Sequence, residues 1–535
     1  YIKILQKGNI MRVKIKKITR IEDEPGLLCL DDCIATIATY YGRNYELIYS
    51  DGIRIDISED ESYNSVKKYI DIFSINRIEN LFKYHGIGIQ IFNNDDSQNL
   101  REIIKKQIED NQPILVHFDT YWCPWDLGFQ KFSSECGHYF IITNIVEGGF
   151  TCVDPYFNID EIKLSDDFFN KGLKNIFLTK SYEEPDTEDI NIGVILKNIQ
   201  DNYLSNGFEE CLQVIINYFE NSSREEIFSE VTKDEYLWSN HIIVLMMQVN
   251  RCLLLLTILL DFLFKKKKNE IKKDLVTDIR NITIQWKQVR KLVIKLYFIR
   301  RENDLLKISI VNKMKNISEL FRKYIFNLGN ENGNNYENKV CNAIEGTSGD
   351  CVKLNLKEYF NNCAFTTWEN GKLGNQFADF SLIGNCFIAD KNGFVISEEE
   401  QQVYDFKALY ENAFDNISCS GQCINVEIRK YSKISIVGVA EFGDSMEIID
   451  LVGERDILQL EVGFTDYILL PQNGEKVIWR GKGICKKTDN KSDMELMKEE
   501  LYLMEKTYEI GFDQYINKII LPINPSIHIF AVTLM

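Results

Sequence analysis

The run Leu27-Leu28-Cys29-Leu30-Asp31-Asp32-Cys33-Ile34-Ala35-Thr36-Ile37-Ala38-Thr39-Tyr40-Tyr41-Gly42 decides how this chain is read. Ile34, Ile37, Ala38 and Tyr41 recur at three- and four-residue steps, which predicts a helix with one buried stripe. Gly42 follows the last periodic position, where a glycine closes a helix. Cys29 then stands at the helix start. The first N–H groups of a helix have no partner inside it, and the aligned peptide dipoles leave that end partly positive. A thiol there is biased towards thiolate, its nucleophilic form. The competing reading is a cysteine buried for packing, and the choice rests on what the rest of the chain supplies.

At 535 residues the chain exceeds what one hydrophobic core supports, so two to four domains are expected. A formal charge of −18 argues against a general nucleic-acid binder, whose footprint would be basic. Fourteen cysteines are scattered; Cys29/Cys33 and Cys419/Cys423 share a spacing, but no second pair follows either at a zinc-site distance. The five histidines (His85, His117, His138, His241 and His528) form no ligand cluster, so no metal is expected. Arg12-Val13-Lys14-Ile15-Lys16-Lys17 leads into no apolar run. The expectation is therefore no signal peptide, with free thiols in a reducing cytoplasm. The most membrane-like stretch, His241 to Phe264, is interrupted by Gln248, Asn250, Arg251 and Asp261. It reads as a buried bundle helix, with no transmembrane segment.

Residues 11–185 read as a small α+β domain, helices first and then an antiparallel sheet. Helices are expected over Ser65–Phe73, Ile78–Tyr84 and Ser97–Asp110, with strands at Gly86–Phe92, Ile114–Phe118, Tyr139–Thr143 and Phe150–Asp154, the last two joined by a Gly148-Gly149 turn. Residues 186–328 read as a helical domain, including helices at 269–278, 284–301 and 305–326. Their lysine-rich faces suit either solvent or an acidic partner. A polar linker at 329–339 leads into an all-β region over 340–535, read as a sandwich with one helical interruption at Met494–Tyr508.

A cysteine nucleophile needs a base within hydrogen-bond reach and a third polar group to orient that base. His138 stands at a strand start, and Asp154 ends the next strand across the turn. A hairpin returns the chain alongside itself, so the two can meet, and Pro155 stops the strand just after Asp154. His117 reads as a packed strand residue.

The Cys29–Gly42 run, with His138-Tyr139 and Asp154-Pro155 in order, resembles the double-glycine bacteriocin-processing cysteine peptidases. That register makes Cys29 the nucleophile and puts Cys33 one turn inside the helix. The family places a glutamine six residues before its cysteine for the oxyanion hole, and this chain has Asp23 there. Residues 113–125, Gly137-His138 and Val153-Asp154 are also similar to the papain-like N-terminal domain of the butirosin biosynthesis acyltransferase family. This resemblance implies a papain-like catalytic domain followed by a helical region. It implies a cytoplasmic enzyme of natural-product biosynthesis that moves an acyl chain from a carrier-protein thioester, through an acyl-Cys29 intermediate, to an amine. Cys29, His138 and Asp154 would be catalytic, with Asp119, Tyr121 and Trp122 at the substrate. No cofactor is implied beyond a phosphopantetheinyl group on the acyl or peptidyl carrier protein. The partners are that carrier and a small amine, with homodimerisation left open. Val352–Leu356, Ala378-Asp379-Phe380, Phe464–Tyr467 and Lys518–Leu534 resemble the jelly-roll-like accessory β-sandwich of some glycosidases, with Tyr467 where a tryptophan is expected. A peptidase or hydrolase, and a non-catalytic scaffold, are the alternative readings.

Overall fold

A computed structural model describes residues 12–21, 28–51, 53–57, 70–74, 77–93, 100–131, 137–185, 191–205, 208–228, 240–266, 273–299, 303–326, 328, 351–366, 378–388, 394–396, 403–405, 414–453, 456–486, 494–511 and 515–535. The protein is α+β, mixing helices with largely antiparallel sheet. It divides into two compact units. The first holds residues 1–211, 244–283 and 321–331; the second holds 212–243, 284–320 and 332–535. The expected linker at 329–339 lies outside the described residues.

In the first unit, α1 (Cys29–Tyr40) buries the expected Ile34, Ile37 and Ala38, but burial runs unbroken from Asp31 to Ala38 rather than along one stripe, and Tyr41 is half-buried. It ends on a left-handed Gly42, with Arg43 N–H donating to Ala38 C=O and Gly42 N–H to Thr39 C=O. That paired closure satisfies two carbonyls the helix would otherwise leave free. A two-stranded ribbon follows, β1 (Ile53–Ile57) with β2 (Ile70–Ser74). The helix expected over Ser65–Phe73 is therefore corrected at 70–73. Ile70 and Ile72 are β-branched residues that favour strand, and pairing with β1 settles 70–73 as strand; 65–69 lie outside the described residues.

Next come α2 (Arg77–His85), β3 (Ile87–Asn93), α3 (Leu100–Glu109), β4 (Ile114–Phe118), β5 (His138–Val146), β6 (Gly149–Asp154), β7 (Ile159–Ser165), α4 (Asp166–Gly172) and β8 (Leu173–Ser181). The six long strands form one antiparallel sheet in the order β3-β8-β4-β5-β6-β7. α1 and α3 pack on β5. Ile114, Val116, Phe118, Phe140 and Ile142 share a core with Ile104 and Ile108 of α3. Burying each such side chain contributes about 1.5–3 kcal/mol, which fixes the register of β4 on β5 because a one-residue slip would turn every one outward.

Helices follow: α5 (Ile192–Ser205), α6 (Phe208–Asn221), α7 (Arg224–Ile227), α8 (His241–Lys266), α9 (Lys273–Phe298) and α10 (Asp304–Phe326). The helices expected at 269–278 and 284–301 are one continuous α9, because no glycine or proline breaks the sequence between them. Within α8, Ile242–Lys266 is long and apolar enough to cross a membrane by length and composition, and 72% of its most apolar window is buried inside the protein.

In the second unit, one sheet runs Ile417–Ser420, Ile523–Leu534, Lys433–Ala440, Leu501–Glu509, Lys476–Gly481. Another runs Cys423–Arg429, Ile516–Ile520, Ser445–Gly453, Ile457–Phe464. The two share one core, in which Ile434, Ile436 and Ile529 meet Ile449, Leu451 and Ile519. The helix expected at Met494–Tyr508 is corrected: Met494–Leu496 and Leu501–Glu509 are strands. The glutamates, lysines and leucines there favour helix locally. Pairing of 501–509 with both Lys433–Ala440 and Lys476–Gly481, which buries Leu501, Leu503 and Met504, outweighs that preference.

Candidate active site

α1 sets Cys29 at its first helical position, and the preceding Leu28 contributes no side-chain cap. The first N–H groups of a helix have no partner inside it. His138 opens β5 opposite Phe118, the last residue of β4. Asp154 closes β6, and a turn at Pro155–Asn158 follows it. Gly137, just before His138, has φ +65°, and a Cβ there would stand 2.3 Å from His117 Nε2 and 2.9 Å from the Phe118 carbonyl oxygen. Only glycine fits that approach.

His138 Nε2 lies 2.6 Å from Asp154 Oδ2, with the two side chains 4% and 0% exposed. Cys29 acts on the same imidazole, adding to the upward push on it. A neutral imidazole has one donor and one acceptor nitrogen. With Nε2 engaged by Asp154, Nδ1 is the nitrogen left for the thiol proton. Burial alone would push the His138 imidazole down. The Asp154 charge and hydrogen bond, with Cys29, more than reverse this and hold it well above its ordinary 6.5. The arrangement therefore favours a proton on the imidazole beside Cys29.

Asp154 is held in turn. Trp125 Nε1–H donates to Oδ2 at 2.7 Å, and Phe157 N–H donates to Oδ1 at 3.3 Å. Phe157, Tyr156 and Phe140 surround the His138 ring at centroid distances of 5.4, 5.8 and 6.4 Å. These rings exclude water from the His–Asp pair, which strengthens the attraction between them.

The other described cysteines of this unit are unlike Cys29. Cys33, Cys123, Cys152, Cys211 and Cys252 are buried, and burial pushes every one of their thiols up. Cys29 alone among the described cysteines of the unit is half-buried and on a histidine. Partial exposure beside a basic group is the setting in which a thiol can react, and full burial is not.

Two acids follow Cys29 in the first turn. Asp31 Oδ1 accepts from Arg77 at 2.7 Å and from Tyr49 Oη–H at 3.2 Å, and Oδ2 accepts from Arg251 of α8 at 2.9 Å. Burial pushes the Asp31 carboxyl up, opposed by Arg251 and Tyr49. Asp32 Oδ1 accepts Ile21 N–H at 2.7 Å. Burial raises its carboxyl to about 7, against the pull of that hydrogen bond and with help from Asp31. Neither acid therefore adds a full free charge to the end of α1 at which Cys29 sits.

His117 points to the opposite face of the sheet from His138, because its register partner is Tyr139. The two rings stack at 4.5 Å and 4°. Asp119 leaves β4 at the edge where His138 enters β5, and its Oδ1 caps the short turn Thr120–Trp122 by accepting Tyr121 N–H at 3.0 Å. Tyr121 packs edge-on against Trp122 at 4.9 Å, and Trp122 lies against Phe168 and Lys171. These contacts shape the strand exit beside the triad. Asp23 lies outside the described residues. Among the described residues, no group of three His, Cys, Asp or Glu side chains is placed to hold a metal ion.

Trp125 and the Tyr49–Arg77–Arg251 set carry no sequence signal of their own. A tryptophan after Pro124 is an ordinary core residue by composition, and Arg251 meets Asp31 across 220 positions. Comparison with protein-family models and with curated proteins finds no match.

Proposed function

We propose that this chain is a cysteine-nucleophile acyltransferase with a papain-like catalytic domain in its first unit. The observation that carries this reading is the buried His138–Asp154 pair, 2.6 Å apart, with half-buried Cys29 at the start of α1 acting on the same imidazole. Cys29 sulfur attacks the carbonyl of a carrier-bound thioester, its proton passing to His138. The carrier thiol leaves, taking that proton, and the acyl group stays on Cys29. An amine then attacks the acyl-Cys29 carbonyl. His138 accepts the amine proton and returns it to Cys29 sulfur as the amide is released. Asp154 fixes the imidazole tautomer and stabilises its charged form, and Trp125 fixes Asp154. Free N–H groups at the start of α1 are the available donors for the oxyanion.

The enclosure of His138 by Phe140, Tyr156 and Phe157 favours transfer over hydrolysis, since the base meets an amine brought by a substrate more readily than bulk water. The jelly-roll-like second unit serves as an accessory domain.

The test incubates a carrier-bound acyl thioester with the full chain, with and without a primary amine. Amide should form only when the amine is present and should vanish in Cys29→Ala. Free acid released at one unchanged rate in both mixtures refutes transfer and leaves a hydrolase. No acyl-Cys29 adduct in either mixture, by intact mass, refutes the nucleophile.

A further inference from the structure

A concave site lies at the far end of α1 from Cys29. Eleven helical rises of 1.5 Å separate Cys29 from Tyr40, so the two sites are about 17 Å apart along the axis. The cavity holds about 560 Å³. Lys14, Lys16, Lys17, Tyr40 and Tyr41 are among its lining residues.

None of the three lysines has an ion-pair partner among the described residues, whereas nearby Arg12 is paired with Glu161 at 2.7 Å. In a chain of net charge −18, three unpaired ammonium groups around one hollow are a local reversal of sign. The simplest explanation is that they offset the partial negative charge at the end of α1. That charge is only about half an elementary unit, so it leaves most of the mutual repulsion of three lysines standing.

The backbone bearing the lysines is fixed. Val13 N–H donates to Thr143 C=O at 3.0 Å, Thr19 N–H donates to Thr36 Oγ1 at 3.0 Å, and Val13 is buried. The tyrosine rings are fixed as well. Tyr40 Oη–H donates to Asn111 C=O at 2.8 Å, Tyr41 Oη pairs with Thr179 Oγ1 at 3.0 Å, and the rings meet edge to face at 5.2 Å. With their hydroxyls engaged, the rings offer the cavity aromatic surface rather than hydrogen bonds.

We infer that this cavity binds a phosphate-bearing small molecule with a flat ring, the chemistry of a nucleotide. The lysines take the phosphates as charge-assisted donors, and a tyrosine ring takes the base. A volume of this size suits a small ligand, for which pockets run about 300–1,000 Å³. An acidic protein would need a broader surface of about 800 Å².

The experiment titrates the full chain by calorimetry with ATP, inorganic tripolyphosphate, adenosine and a poly-glutamate peptide. ATP should saturate one site and bind more tightly than tripolyphosphate or adenosine. Lys14→Gln/Lys17→Gln, both at exposed positions, should weaken ATP about tenfold or more. The Cys29 alkylation rate should stay unchanged in that variant, so this inference and the acyltransferase reading fail separately. Tyr40→Leu should abolish the preference for ATP over tripolyphosphate. Absence of saturable ATP binding, equal binding by the lysine variant, or equal binding of tripolyphosphate and ATP overturns the inference. Preference for poly-glutamate overturns it in favour of an acidic protein partner.

Discussion

Asp32→Asn should make the protein more stable at alkaline pH and change little at acidic pH. Asp32 is 1% exposed, and burial raises its carboxyl from the ordinary 3.8 to about 7. Between those values the folded chain holds a proton that the unfolded chain has released. Stability therefore falls as pH rises through this window, by up to about 1.4 kcal/mol per pH unit from this one group. Above pH 7 the accumulated cost reaches at most about 4 kcal/mol. Below 3.8 both states are protonated, and the group costs nothing. Asparagine keeps a side-chain oxygen for the Ile21 N–H and cannot ionise. Urea denaturation of variant and wild type at half-unit steps from pH 3 to 8.5 isolates the effect, because titrations uncoupled from Asp32 cancel in the difference. The variant's advantage should climb from near zero to between about 1 and 4 kcal/mol. A difference that stays flat with pH would show that Asp32 ionises normally inside the fold. One that grows towards acid would show that its carboxyl is lowered, and the electrostatic account of the first turn would fail.

Three other substitutions probe separate contacts. Gly137→Ala forces a Cβ to 2.3 Å from His117 Nε2 at a left-handed φ, and should cost about 2–4 kcal/mol in urea unfolding and slow Cys29 alkylation. Trp125→Phe keeps the ring but removes the N–H on Asp154. It should cost about 1–3 kcal/mol in stability, lower the acyl-transfer rate about tenfold, and shift its pH profile because Trp125 and His138 share Asp154 Oδ2, whereas a purely packing role would leave the profile in place. In the second unit, buried Lys295 donates to Glu441 and to the Pro525 carbonyl at 2.9 Å. Lys295→Met removes the ammonium and leaves the buried Glu441 carboxylate on His528 Nε2, at 3.1 Å; it should cost about 3–5 kcal/mol, and adding Glu441→Gln should recover part of that loss in thermal melts.

How much of the site was legible follows from how local each signal was. The opening run carried its own helix, because stripe, stop signal and nucleophile position all lie within Cys29–Gly42. His138 and Asp154 were legible because a two-residue turn at Glu147-Gly148 folds β5 back onto β6, so sequence distance converts directly into contact. The failures share one cause. Leu501–Glu509 has helical propensity and becomes strand, and Ile70–Phe73 pairs with a ribbon partner, because in each case a distant strand supplies the backbone hydrogen bonds. What neither propensity nor spacing could show is the support around the triad. Arg251 reaches Asp31 from a helix 220 residues away, so the start of α1 is held by a cation in what composition reads as an apolar bundle helix. That contact gives a polar interruption of α8 a physical reason. Arg251 had counted only against a membrane span, yet its guanidinium is what lets a buried acid stand two residues from Cys29. The helical segment is therefore tied to the chemistry of the first unit through one buried ion pair, as well as by the chain.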